Sequence, residues 1–262
     1  MSETSHANHN PRHMSIWPIV ITLGLALVFW GIAAYLLGVG LPLLILALII
    51  LVGGILGYLK ETMQGNFVAI EEQRGSQWPF ESISKLKLGV WVFIAGDIML
   101  FGLMVGVDIY LRLGAVSWPD AGTVFSISHG ALMTYLLLAS TLTFGYGVIS
   151  VRNGSSKGLI TGLILTLILG AGFLVIKLLE WSELFSHGFN LSSGLAASTY
   201  FFTTGLHGLH VLIGIVGLAY FILGAILGNV TKEKHETLIL FGIYWIFVDI
   251  VWLFIFPIMY LW

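Results

Sequence analysis

The 262 residues are 58% hydrophobic and only 9% charged, with a formal net charge of −2 and no cysteine. A water-soluble domain of this composition could not cover its surface with polar groups, so the solvent for most of the chain is lipid. The lack of cysteine excludes disulfides, thiolate-bound zinc, iron–sulfur clusters and a thiolate-bridged copper centre, and the charge balance gives no footprint for nucleic acid.

Residues 1–15 form a polar tail carrying His6, His9, His13 and Arg12. The tail does not read as a cleaved leader. The run that follows, from Ile16 to about Leu37, is long enough to span a bilayer, and no small-residue cleavage site comes after it. About 20 apolar residues cross a bilayer at about 1.5 Å each. Seven runs qualify, at 16–37, 41–59, 88–111, 123–150, 158–180, 194–228 and 237–261. The predicted fold class is therefore all-α, a polytopic membrane protein with seven transmembrane helices in a 2 + 5 bundle. Residues 16–59 form a hairpin, turned at Gly38, Gly40 and Pro42, and residues 88–262 form a five-helix bundle. Residues 60–87 join them as a solvated loop of mixed charge. The sixth run would extend about 52 Å as one helix, so it must tilt or protrude.

Sorting the basic residues by loop sets the orientation. Arg12, Lys60, Arg74, Lys85, Lys87, Arg152, Lys157, Lys232 and Lys234 fall on the side of the N-terminus; Arg112 falls on the other, with Lys177 near the outer end of the fifth span. The N-terminus is predicted inside and the C-terminus outside. Glycines recur in the spans, as at Gly205, Gly208, Gly214 and Gly217, where small residues let helices approach closely. No internal repeat is visible, nor the matched interrupted helices expected of an inverted-repeat transporter.

Ionisable groups in hydrocarbon cost about 2.5–3.5 kcal/mol on insertion scales, so each should face the bundle interior and find a partner. Asp97 lies about 14 Å from the inner end of the third span, near mid-membrane. It is either a proton-exchanging carboxyl or a hydrogen-bonded structural acid, and the structural reading carries more weight. Asp108 is expected near the outer surface, paired with Arg112 at i+4. His207 and His210, one turn apart on one face, supply two ligands where a metal needs more, so helix-to-helix hydrogen bonding is the stronger reading. In the last span Trp245, Asp249, Trp252 and Phe256 form one helical stripe, whose indoles could donate to the carboxylate. Lys177 and Glu180, at i and i+3, are expected to pair with each other. There is no phosphate loop, nucleophile elbow or HExxH, so no catalytic and no metal-ligating residue is assigned.

From about residue 85 onward the chain resembles the subunit III family of cytochrome c and quinol oxidases. The resemblance rests on Trp91, Asp97 and Phe101 in the third span, Ser140 and Thr141 in the fourth, and Glu180 with Trp181 closing the fifth. Thr204, Gly205, His207, Gly208, His210 and Gly214 match in the sixth span. Glu236, Tyr244, Trp245, Phe247, Val248, Asp249, Val251, Trp252 and Phe254 match in the seventh. The family usually has Glu where Asp97 stands, and a histidine is common at Ile246, which marks a diverged bacterial or archaeal member. The resemblance implies a non-redox subunit of a terminal oxidase that reduces O2 to water and translocates protons. Haem and copper then reside in partner subunits, with no cofactor in this chain. The implied partners are subunit I and subunit II, and phospholipids bound between the helix bundles. Asp97, Asp249, His207, His210 and Glu180 become the buried polar or proton-related candidates. Trp91, Trp245, Trp252, Ser140 and Thr141 become the lipid or helix-packing candidates. The implied location is a plasma membrane. Two alternatives stay open: an accessory subunit of a nitric oxide reductase, which belongs to the same family, and an independent transporter.

Overall fold

Long apolar runs punctuated by Ser, Asp and Gly leave the backbone one way to satisfy its polar groups in lipid, and among the described residues all regular structure is helical. The computed structural model describes residues 16–36, 41–64 and 85–262. The tail 1–15, the turn at Gly38 and Gly40 and most of the predicted inner loop lie outside the described residues. The chain divides into two compact units, Met1–Glu71 and Glu72–Trp262.

The first unit is an antiparallel pair, α1 (Trp17–Leu36) and α2 (Leu41–Gln64). A Cβ added at Gly24 would lie 2.8 Å from the backbone of Leu51, and one at Gly31 would lie 2.8 Å from that of Leu44. The two helices are thus in backbone contact along their length. Leu23, Trp30, Ile45 and Ile49 project outward, exposed, as lipid-facing side chains do.

The second unit contains α3 (Lys85–Gly114), a single turn α4 (Ala121–Val124), α5 (Ile127–Arg152), α6 (Ser156–Ser186), α7 (Leu195–Ile226), α8 (Glu236–Phe256) and a terminal π-helical turn, Pro257–Leu261. The fourth apolar run is divided, because Asp120 caps α4 and the Ser126 side chain, accepting from His129 N at 3.4 Å, restarts the chain as α5. Ser155 caps α6 in the same way. Gly154, at φ +79°, ends α5 in the left-handed conformation, and Ser155 N donates to Ser150 O at 2.8 Å across the turn. The long sixth run resolves into a 32-residue helix, α7.

α5 packs most extensively on α6, α6 on α7, and α8 fits against α5 and α7, with α3 beside α7 and α8. The core is Met133, Leu137, Leu159, Leu163, Phe173, Trp245 and Trp252, all buried. Met99, Tyr110 and Leu142 point outward. Among the described residues six helices are long and apolar enough to cross a membrane: α2, α3, α5, α6, α7 and α8 with its terminal turn. α1 contains a shorter apolar stretch, Ile19–Val28.

Candidate functional site

Nearly every ionisable residue that the sequence places inside a span is buried in the second unit, in three polar groups. The stripe on α8 supplies the first. Trp245, Asp249 and Trp252 are buried, Phe256 half-buried. Asp249 Oδ2 accepts from the Thr141 hydroxyl and, at 3.4 Å, from that of Ser140, both on α5. The indoles do not donate to Asp249, contrary to the sequence expectation. Trp245 Nε1 donates to the Ser140 hydroxyl at 3.0 Å and Trp252 Nε1 to that of Thr134 at 2.9 Å. The facing helix α5 instead puts the hydroxyls of Ser140 and Thr134 within reach of the two indoles. Trp245 fits there because α6 and α7 present glycine; a Cβ at Gly170 would come within 2.9 Å of its ring and one at Gly214 within 2.5 Å.

The second group joins α3 to α7. Asp97 Oδ2 lies 3.5 Å from His210 Nε2, an ion-pair distance without hydrogen-bond alignment, and this oxygen makes no hydrogen bond. His210 Nδ1 donates within its own helix to Leu206 O at 2.8 Å, and Tyr244 donates to the His210 carbonyl at 2.8 Å. His207 departs further from the sequence expectation of helix-to-helix hydrogen bonds. It is wholly buried with neither ring nitrogen hydrogen-bonded, stacked on Trp252 at 5.2 Å and edge-on to Phe173 at 5.5 Å. The two histidines therefore serve different neighbours: His210 faces α3, His207 faces α6 and α8.

The third group gathers Lys177 and Glu180, paired at 2.9 Å, as their i, i+3 spacing foretells. Both are buried, and two tyrosines that the sequence reading passes over complete the group. Tyr200 of α7 and Tyr260 of the terminal turn each place a hydroxyl against Lys177 Nζ. Their signal was available, since each is an aromatic residue with a polar tip inside an apolar run.

Asp108 corrects another expectation. It is buried, 2% exposed, and accepts from the Thr199 hydroxyl of α7 at 2.5 Å. Arg112 donates instead to the carbonyls of Ile258, at 3.4 Å, and Trp262. Packing against α7 and the terminal turn overrides the local i+4 pairing. Trp91 stands half exposed on α3. Among the described residues no three His, Cys, Asp or Glu side chains converge on a point that could hold a metal ion. The arrangement brings charged and polar side chains of different helices together and locks those helices to one another.

Residues 6–262 match the profile of the family described as cytochrome c oxidase subunit III. The heme-copper oxidase subunit I+III of Aeropyrum pernix is 30% identical over 267 residues, an alignment that covers 98% of this chain and 32% of the relative. This chain therefore spans about a third of that longer protein. Quinol oxidase subunit 3 of Bacillus subtilis is 33% identical over 174 residues, 66% of this chain and 85% of the relative. Cytochrome bo(3) ubiquinol oxidase subunit 3 of Pseudomonas putida is 28% identical over 174 residues, with 66% and 84% covered.

Proposed function

We propose, from the premise that this chain belongs to the cytochrome c oxidase subunit III family, that it acts as the non-redox third subunit of a complex that reduces O2 to water and translocates protons. The observation that carries this reading is the family match from residue 6 to residue 262, which takes in both units of the fold. Haems and copper belong to partner chains. Subunit I is the principal partner, supported by the relative named as subunit I+III; subunit II and phospholipids complete the set. α1 crosses the membrane as a seventh span, in addition to the six longer helices. The hairpin and the five-helix bundle then lie in the plasma membrane with the N-terminus cytoplasmic.

Asp97, set against His210 in the middle of α3, assists proton supply to subunit I. An Asp97→Asn complex, assembled with normal haem content, should turn over more slowly or lose activity sooner during catalysis. Unchanged turnover and lifetime would remove the proton role and leave the family assignment standing. The subunit reading itself is tested by native purification: this chain should co-migrate with a haem protein identified by spectrum and mass. Migration alone, active as a transporter in vesicles, would overturn it.

A further inference from the structure

Lys177 sends its ammonium into a shell built by three other segments of the fold. Nζ lies 2.9 Å from Glu180 Oε2 one turn along α6, 3.1 Å from the Tyr200 hydroxyl and 2.5 Å from the Tyr260 hydroxyl. The same nitrogen stands 4.9 Å, 5.2 Å and 5.1 Å from the ring centroids of Tyr200, Trp252 and Tyr260. The two phenols meet the ammonium through their hydroxyls and Trp252 meets it through its ring; with the carboxylate beside them they form a cage shaped for a primary ammonium. Here the guest is tethered to α6. Tyr260 is the joint of the group: it accepts from Lys177, donates to Glu180 Oε2 at 2.6 Å and lies 3.2 Å from the Tyr200 hydroxyl. In the terminal turn Tyr260 is fully buried, and Met259 beside it is nearly so. At the rim the same turn is held by Arg112, whose guanidinium lies 4.7 Å from the Trp262 ring centroid.

We propose that this cage is an ammonium-binding site that docks the C-terminal turn, Pro257–Leu261, as a strap across its end of the second unit, with the Lys177 cation as the built-in ligand. The cation does what packing alone cannot. Without it Glu180 is a buried carboxylate lacking a counter-charge, and the phenol of Tyr260 loses the donor it accepts from. The ligand class is a primary alkylammonium, and the cavity left by truncating Lys177 should take one from solution. This inference stands on the geometry of the second unit alone and does not depend on the oxidase reading.

The chain has no cysteine, so Met259→Cys, at a position within the turn that is 5% exposed, introduces the single thiol of this chain. Maleimide modification is followed in the detergent-purified protein, with whatever chains co-purify, by the mass of the C-terminal peptide. The thiol should react slowly in the Met259→Cys parent. Adding Lys177→Ala should raise the rate roughly tenfold, as a local opening would. n-Propylammonium, which restores the atoms removed, should slow it again, and 1-propanol should not. Lys177→Met, which keeps the volume and removes the charge, should also open the turn. Protection that persists in Lys177→Ala or Lys177→Met, or closure by 1-propanol equal to that by propylammonium, would overturn the proposal. Should the lysine variants fail to assemble, Tyr260→Phe carries the test: it keeps the ring and removes the hydroxyl. Several-fold faster labelling supports docking through the cage, and a rate equal to the parent's refutes it.

Discussion

A carboxylate in a lipid-solvated bundle persists only where donors are aimed at it, and Asp249 shows what that requires. Its Oδ2 gathers the hydroxyls of Thr141 and Ser140, while Ser140 in turn receives the Trp245 indole. Asp249→Asn keeps an acceptor for Thr141 and should leave the unfolding temperature of the complex nearly unchanged. Asp249→Leu strands the Thr141 hydroxyl and should cost about 1–3 kcal/mol, seen as a lowered thermal midpoint. Equal losses from the two variants would show that the hydrogen bond is not what matters. The sequence marks Ser140, Thr141, Trp245 and Asp249 one by one, from residue type and helical register. It does not show that they meet, because more than 100 positions separate α5 partner from α8 partner and periodicity reports a face without naming the neighbour. Asp108 shows the complementary failure, where a short spacing advertises Arg112 and the tertiary fold delivers Thr199.

At the level of helices, the apolar runs locate each element to within a few residues, since hydrocarbon thickness fixes a minimum length. The ends are set by chemistry outside the runs, which is why α6 continues to Ser186, beyond the predicted limit of its span, before Gly188 ends it. Glycine content points to close packing on the sixth span. The tightest backbone approach in the second unit is elsewhere, between α5 and α6: a Cβ at Gly162 would sit 2.7 Å from the Gly147 backbone and 2.8 Å from Thr143 O. Gly162→Ala must push these helices apart and should destabilise by about 1–3 kcal/mol. Gly145, on the same α5, has no atom within 4 Å of an added Cβ. Gly145→Ala should therefore be neutral or slightly stabilising, because alanine is the better helix former. Matched melting curves of the two variants decide between a steric and a propensity effect; similar behaviour would refute the close-approach argument.

For the molecule as a whole, we propose from the distribution of basic residues that the α5–α6 and α7–α8 connections lie on the inner side of the membrane. Cysteines introduced singly by Asn153→Cys and Ser192→Cys, in exposed loops at the two ends of α6, should be labelled by an impermeant reagent from opposite faces, the first from the cytoplasm. Labelling from one face would break the topology. The strap across the end of the second unit also carries a consequence for biogenesis. Tyr260 follows Lys177 by 83 residues, and a ribosome adding about 5–20 residues per second needs roughly 4–17 s to cover that distance. Throughout that interval α6 enters the bilayer with a charged pair whose aromatic shell is incomplete. Insertion of α6 is then provisional until α8 and its turn arrive, so in chains truncated after Phe256 a single cysteine placed in the middle of α6 should react faster with an impermeant reagent than in chains carried through Trp262.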